Sequence, residues 1–91
     1  MSLIDQELQK HKTFLITKSH CPHCVNAKDL LTKKGKEFHE IDYSEGKELI
    51  AEVIEKKAHK SFPMIFLDGE FIGGFDQLRK YYDKAENKSN V

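Results

Sequence analysis

Cys21 and Cys24 are the only cysteines among the 91 residues, and a histidine stands directly before each of them, His20 and His23. A C-x-x-C pair can be a reactive dithiol, half of a zinc site or a structural disulfide. A structural disulfide is rare in a reducing cytosol. The stretch TKSHCPHC therefore raises two main hypotheses, thiol–disulfide chemistry and metal binding.

Metal binding is the weaker hypothesis, because the ligands that would complete a zinc site are missing from the pattern. Zinc sites built on C-x-x-C usually take a second pair of ligands further along the chain. His39 and His59 each stand alone in the sequence. Two histidines and two cysteines that enter one helix together cannot all converge tetrahedrally on one ion. We therefore favour the redox pair and expect no metal.

Charge and hydropathy exclude several other classes of protein. Fifteen basic and fifteen acidic side chains cancel in this chain, whereas nucleic-acid and membrane-surface binders need a basic excess. No apolar run approaches the ~20 residues that span a bilayer, and MSLIDQELQK lacks the features of a secretory signal. The length is that of one domain. We expect a cytoplasmic monomer that binds neither nucleic acid nor membrane.

The elements around the cysteine pair follow from apolar spacing. Thr13–Lys18 is a β-rich apolar run that is typical of a buried strand. The next segment predicts a helix with Pro22 at its first position and one apolar stripe: Cys24, Ala27 and Leu31. The cysteine pair therefore lies where a strand passes into a helix.

The second half of the chain predicts a strand, a helix, a hairpin and a last helix. The strand is Glu37–Asp42, and Ser44 is the expected cap of the following helix, which pairs Glu52 with Lys56 on its outer face. The Asp-Gly dipeptide within PMIFLDGEFIGG is a strong hairpin signal. The last helix begins after the two glycines, with Asp76 in its first turn.

This order, β-α-β-α-β-β-α, predicts an α/β fold with a four-stranded mixed sheet and helices on both faces. The first two strands should be parallel through a right-handed crossover, and the last two should form an antiparallel hairpin. Residues 1–12 are an N-terminal extension with a short helical pattern, and residues 13–84 form the domain. Residues 85–91 are a polar tail that is expected to fray.

The predicted junction gives the two cysteines different roles. Backbone N–H groups and the positive end of the helix dipole stabilise a thiolate at Cys21. Lys18, three residues upstream, adds positive charge. Cys24 lies one turn further on, more buried and on the same side. Cys21 is therefore the predicted nucleophile, and Cys24 is the thiol that resolves the mixed disulfide.

At this point the chain resembles the dithiol glutaredoxins, which have the thioredoxin fold. The resemblance runs from Thr13 to Tyr82, through TKSHCPHC and KSFPMIFLDGEFIGGFDQL. It includes a C-P-x-C site, a [T/S]-x-P segment before the third strand and a G-G-x-D segment at the last helix. It implies a glutathione-dependent thiol–disulfide oxidoreductase that reduces protein disulfides and glutathione mixed disulfides.

The resemblance also implies a glutathione site. Pro63 would form a cis peptide bond opposite Cys21, and the backbone of Phe62 would pair with the glutathione cysteine. Lys18, assisted by Lys60, would meet the glycine carboxylate.

The same resemblance places the γ-glutamyl end at the start of the last helix. It would bind the backbone N–H groups of Phe75 and Asp76, and the Asp76 carboxylate would take the α-amino group. Gly74 would permit close approach of the ligand.

Three departures from the family pattern concern the groove. His23 stands where tyrosine is common, Ser61-Phe62 replaces Thr-Val, and Phe75 stands where cysteine is frequent. C-P-H-C resembles the site of strongly oxidising periplasmic thiol oxidants. Because a histidine near the sulfur stabilises the thiolate and so the reduced form, we predict a more oxidising couple than a tyrosine version would have.

The sequence leaves two alternative functions open. One is an electron donor, for example to ribonucleotide reductase, that thioredoxin reductase recharges instead of glutathione. The other is a module that holds an iron–sulfur cluster or zinc through Cys21. Cluster-binding relatives usually lack the proline or the second cysteine, so Pro22 and Cys24 argue against the second alternative.

Overall fold

The computed structural model describes residues 2–88, with side chains up to residue 84. None of the helices in this part of the chain is long and apolar enough to cross a membrane. The elements, in chain order, are α1 (Leu3–Lys10), β1 (Phe14–Thr17), α2 (Pro22–Lys33), β2 (His39–Asp42), α3 (Lys47–Lys57), β3 (Met64–Leu67), β4 (Glu70–Gly73) and α4 (Phe75–Lys88).

The four strands form one mixed sheet in the order β2-β1-β3-β4. β1 is parallel to β2, and β3 is antiparallel to both β1 and β4. Every residue of β1 and β3 is buried, as expected for central strands that are covered on both faces. The predicted thioredoxin-like α/β fold is therefore confirmed.

Each face of the sheet has its own core layer. Phe14 and Ile16 of β1 point into the layer that α1 and α3 cover, where Phe14 stacks on Phe66 with ring centroids 4.7 Å apart. Leu15 points into the opposite layer, which α2 and α4 cover with Leu31 and Leu78. This alternation along a strand lets both helix pairs anchor to the same short β1.

The N-terminal segment forms α1 and is tied to α3 at its first turn. The side chain of Glu52 accepts the backbone N–H groups of Leu3 and Ile4, each at 3.0 Å. Ser2 Oγ accepts the N–H of Asp5 at 3.0 Å. The outer-face pair with Lys56 is present as a longer contact of 3.8 Å, but the carboxylate of Glu52 mainly caps α1.

The prediction that Ser44 caps α3 is wrong. Gly46 occupies the cap position, without a side-chain hydrogen bond, and Ser44 instead donates both its N–H and its hydroxyl to the Asp42 carboxylate. A Cβ at Gly46 would lie 3.0 Å from Ile41 Cγ2, so a larger residue there would require the Ile41 side chain to shift. α4 continues to Lys88, into the segment predicted to fray; residues 89–91 lie outside the described part.

Candidate active site

Cys21 is the N-cap residue of α2, directly after the loop that follows β1. Its Sγ accepts the backbone N–H of Cys24 at 3.2 Å, and its carbonyl accepts the N–H of Val25 at 3.2 Å. The side chain is 8% exposed. The sulfur therefore stands on the first turn of a helix, where a thiolate is stabilised by the dipole and by a backbone donor.

Local sequence explains why α2 begins at this point. His20 adopts a left-handed conformation, with φ of 58°, which turns the chain between β1 and the helix. Pro22 takes the first helical position, where a residue without an N–H loses no hydrogen bond. The predicted strand-to-helix junction at the cysteines is confirmed.

Cys24 is a buried thiol one turn into α2. It is 2% exposed, and both cysteines are free. Burial, together with its interaction with Cys21, raises the pKa of Cys24 to about 12. Cys24 therefore holds its proton at neutral pH, while Cys21 is the more accessible sulfur. This asymmetry agrees with the predicted division between nucleophile and resolving thiol.

The segment before β3 closes the site on the other side of Cys21. The Phe62–Pro63 peptide bond is cis, as predicted, and the Cys21 thiol donates to the Phe62 carbonyl at 3.8 Å. The Phe62 ring has two neighbours: Lys18 Nζ is 5.6 Å from its centroid, and Tyr43 meets it edge-on at 6.4 Å. This segment thus places backbone polar groups beside the reactive sulfur.

A groove of about 400 Å³ leads from Phe62 to the start of α4. Four of its lining residues belong to the predicted glutathione site: Phe62, Gly74, Phe75 and Asp76. The other four are His23, His59, Ser61 and Gln77. The first N–H groups of a helix have no partner within the helix, and at α4 they belong to Phe75 and Asp76. An anionic group in this groove would therefore meet two backbone donors.

Gly74 is one of the residues that line that groove. Its N–H donates to Gln77 Oε1 at 2.9 Å, and its carbonyl accepts the N–H of Leu78 at 3.0 Å. A Cβ at this position would lie 3.3 Å from Gln77 Oε1 and 3.6 Å from His59 Cε1. At Gly74 the structure therefore shows close approach of protein atoms, and the predicted approach of a ligand stays a prediction.

The two predicted lysines do not line this groove. Lys18 lies with Cys21, Pro22 and Cys24 along a second groove of about 610 Å³. Lys60 is exposed and lines neither groove. Lys18 therefore stays close to the sulfur, whereas Lys60 must reach a ligand from outside.

His23 and Asp76 each have a protein neighbour within the site. His23 is exposed, and its ring lies against Phe75 with centroids 6.2 Å apart. Asp76 Oδ1 is 4.0 Å from Arg79 Nη2, and both side chains are mostly exposed. An ion pair this exposed contributes little, so the Asp76 carboxylate remains available to a cationic group.

Sequence reasoning missed Gln77 and His59 as groove residues. Gln77 stands three residues after Gly74 and bonds back to its N–H, which is half of a capping box, so the spacing carried a usable signal. His59 comes close to Gly74 and lies 3.5 Å from Ser61 Oγ. Its approach to Gly74 joins residues distant in sequence, and no local pattern indicates it.

Comparison with known proteins agrees with this geometry. A profile of the glutaredoxin family matches residues 13–72. Glutaredoxin 3 of Escherichia coli (strain K12) is 38% identical over 64 residues, which are 70% of this chain and 77% of that protein. The dithiolic glutaredoxin 2-C-Grx1 from Trypanosoma brucei brucei superposes with a TM-score of 0.82 at 28% identity, over 98% of this chain and 95% of that one.

A further solved structure supports the fold. The crystal structure of a buckwheat glutaredoxin–glutathione complex superposes with a TM-score of 0.79 at 20% identity, over 90% of this chain and 80% of that one. The family match, covering more than half of the chain, accords with a dithiol at the start of a helix in a thioredoxin-like sheet. The chain belongs to the glutaredoxin family of thiol oxidoreductases.

Proposed function

We propose that this protein is a glutathione-dependent oxidoreductase that reduces protein disulfides and glutathione mixed disulfides through Cys21 and Cys24. The observation that carries the proposal is the contrast between the two sulfurs. Cys21 Sγ stands at the start of α2 and touches the Phe62 carbonyl, while Cys24 is buried and has a raised pKa. Cys21 is therefore placed to react with the substrate, and Cys24 reacts afterwards, as the resolving thiol.

The proposed reaction proceeds through two thiol–disulfide exchanges. The Cys21 thiolate attacks one sulfur of the substrate disulfide; a Cys21–substrate disulfide forms, and the other substrate sulfur leaves as a thiolate. Cys24 then loses its proton and attacks Cys21 Sγ, which releases the second substrate sulfur. The substrate has gained two electrons, and the protein holds a Cys21–Cys24 disulfide. Two glutathione molecules restore the dithiol and leave as glutathione disulfide.

The two grooves support glutathione as the reductant. An extended peptide beside Phe62 would find backbone hydrogen-bonding groups next to Cys21. Its γ-glutamyl carboxylate would meet the N–H groups of Phe75 and Asp76, and the Asp76 carboxylate would face the α-amino group. Lys18, which lines the same groove as Cys21, suits the glycine carboxylate, with Lys60 as an outer contact.

The substrates we propose are disulfide-containing or glutathionylated proteins, ribonucleotide reductase among them, met by a monomer in the cytoplasm. Glutathionylated substrates need only Cys21, because a single exchange moves glutathione onto that sulfur and a second glutathione removes it. Protein disulfides need both cysteines, because the mixed disulfide with a protein must be resolved from within.

Replacing Cys24 by serine tests this scheme. Cys24→Ser should retain most reduction of a small glutathione mixed disulfide and lose most reduction of a protein disulfide. Both rates are measured with glutathione and glutathione reductase as the electron source. A parallel assay with thioredoxin reductase distinguishes the alternative reductant. Loss of both activities in Cys24→Ser, or recharging by thioredoxin reductase alone, would contradict the proposal.

A further inference from the structure

Three side chains with metal-binding atoms meet at the end of β1 opposite to Cys21. Glu7, His11 and His39 each offer one ligand atom, and these atoms lie within 4.8 Å of one another. The rings of His11 and His39 are stacked, with centroids 4.1 Å apart and planes inclined by 12°. Neither histidine has a part in the redox site, which lies beyond the other end of β1.

The backbone fixes this cluster. Glu7 lies on α1, and His11, four residues later, is the C-cap residue that ends the helix by donating its N–H to the Glu7 carbonyl at 2.9 Å. His39 is the first residue of β2, pairs with Phe14 of β1 and donates its N–H to the Thr13 carbonyl at 3.1 Å. The end of α1 and the start of the edge strand β2 are therefore held side by side.

We propose that Glu7, His11 and His39 bind a divalent first-row metal ion, with zinc as the expected occupant. Two imidazoles and one carboxylate are an established ligand set for zinc, with a fourth position left to water. Imidazole nitrogen suits zinc, copper and nickel, whereas magnesium and calcium prefer oxygen alone. The sequence-based expectation of no metal treated His39 as standing alone, but the fold brings it to His11.

Binding requires the three ligand atoms to move closer together. Bonds of about 2.0–2.1 Å to a tetrahedral zinc place ligand atoms about 3.4 Å apart, so atoms within 4.8 Å must close by about 1.4 Å at most. Each imidazole aims its lone pair in the plane of its ring, so two stacked rings cannot both face one ion. One ring must therefore leave the stack, while Glu7 adjusts through its flexible side chain.

The proposed ion would join α1 to the sheet at the end that Glu52 does not hold. Glu52 binds the N–H groups at the start of α1, and the ion would bind the last turn through Glu7 and His11. Because the ligand set is brought together only in the folded chain, zinc should raise the Tm of the protein.

Calorimetric titration with zinc chloride tests the proposal. The 91-residue chain carries Cys21→Ser and Cys24→Ser as background, because thiols also bind zinc. Glu7→Gln, His11→Gln and His39→Gln are compared with His20→Asn, a matched control at an exposed left-handed position that asparagine tolerates. In parallel, NMR of the imidazole nitrogens of the background protein follows all five histidines.

We expect binding of one zinc ion and shifted ring signals for His11 and His39, with His20, His23 and His59 unmoved. Each of the three glutamine variants should weaken binding by at least about tenfold, the loss seen even for residues that only orient a ligand, and His20→Asn should not. Absence of binding without the thiols would overturn the proposal. So would zinc-induced shifts confined to other histidines, which can be read even if a variant fails to fold.

Discussion

The N-termini of α1 and α2 both need acceptors for unpaired backbone N–H groups, and different atoms accept them in the two helices. Both helices begin with backbone N–H groups that point out of the helix and favour negative charge. At α1 the acceptors are oxygens, the Glu52 carboxylate and Ser2 Oγ. At α2, Pro22 removes one donor and the acceptor for Cys24 N–H is the sulfur of Cys21.

The difference shows how one electrostatic arrangement serves either stability or reactivity. The Glu52 carboxylate is chemically inert, so its interaction with α1 stabilises only the fold. The Cys21 sulfur lies in the same kind of environment, at a helix N-terminus that favours negative charge, and a thiolate is the nucleophile of disulfide exchange. The substitutions below separate these two uses, from the largest expected effect to the smallest.

Cys21→Ser should abolish turnover while the cap of α2 survives. Serine is a favoured N-cap residue and can accept the Cys24 N–H, but its oxygen cannot form a disulfide. We expect reduction of a glutathione mixed disulfide to fall by at least roughly 10³-fold. The Tm should change by less than about 4 °C. Residual turnover above background would show that Cys24 can act as a nucleophile by itself.

Glu52→Gln should have the opposite effect, lowering stability and leaving turnover unchanged. The variant loses the charged acceptor for the N–H groups of Leu3 and Ile4, and we expect the Tm at neutral pH to fall by about 4–8 °C. Glu55→Gln, at an exposed position on the same helix, is the matched control. Equal melting of the two variants would show that the α1 cap contributes nothing.

The difference in Tm between the wild type and Glu52→Gln should depend on pH, in a way that follows from the pKa of Glu52. Hydrogen bonds from Ile4 and Leu3 lower this pKa below its ordinary value of 4.5. A lowered pKa in the folded state means that Glu52 contributes stability above its unfolded pKa and that this contribution is lost as pH falls through the folded pKa. The Tm difference between the wild type and Glu52→Gln should therefore shrink below about pH 4.5.

His23→Tyr should produce the smallest change, a lower reduction potential. The imidazole stabilises the reduced form in our hypothesis, but its ring is exposed and lies against Phe75. We expect a decrease of about 30 mV, which is a tenfold change in equilibrium constant for a two-electron couple. Equilibration with glutathione at known ratios measures it, with His20→Asn as a control. An unchanged or higher potential would contradict the role assigned to His23.

Local patterns predicted the elements that depend on local physics. The Asp-Gly hairpin, Pro22 at the start of α2 and the buried stripe of Cys24, Ala27 and Leu31 are all present. Ser44 does not cap α3, because its N–H and its hydroxyl bind the carboxylate of Asp42, two residues earlier. Gly46 packs closely against Ile41, where a Cβ would lie 3.0 Å from Cγ2, and a hydrophobic pattern does not indicate such a packing constraint.

The sequence by itself determined the thiol chemistry of this protein. The C-P-x-C pair stands between an apolar run and a helical stripe, so the strand, the helix cap and the helix dipole that act on the cysteines are all encoded next to them. Only the tertiary structure decided which distant groups meet. The Glu52 side chain binds the start of α1 and does not lie on an outer face, His59 lies close to Gly74, and the ring of His39 stacks on that of His11. These contacts arise from the packing of separate elements on one sheet, which residue spacing along the chain does not encode.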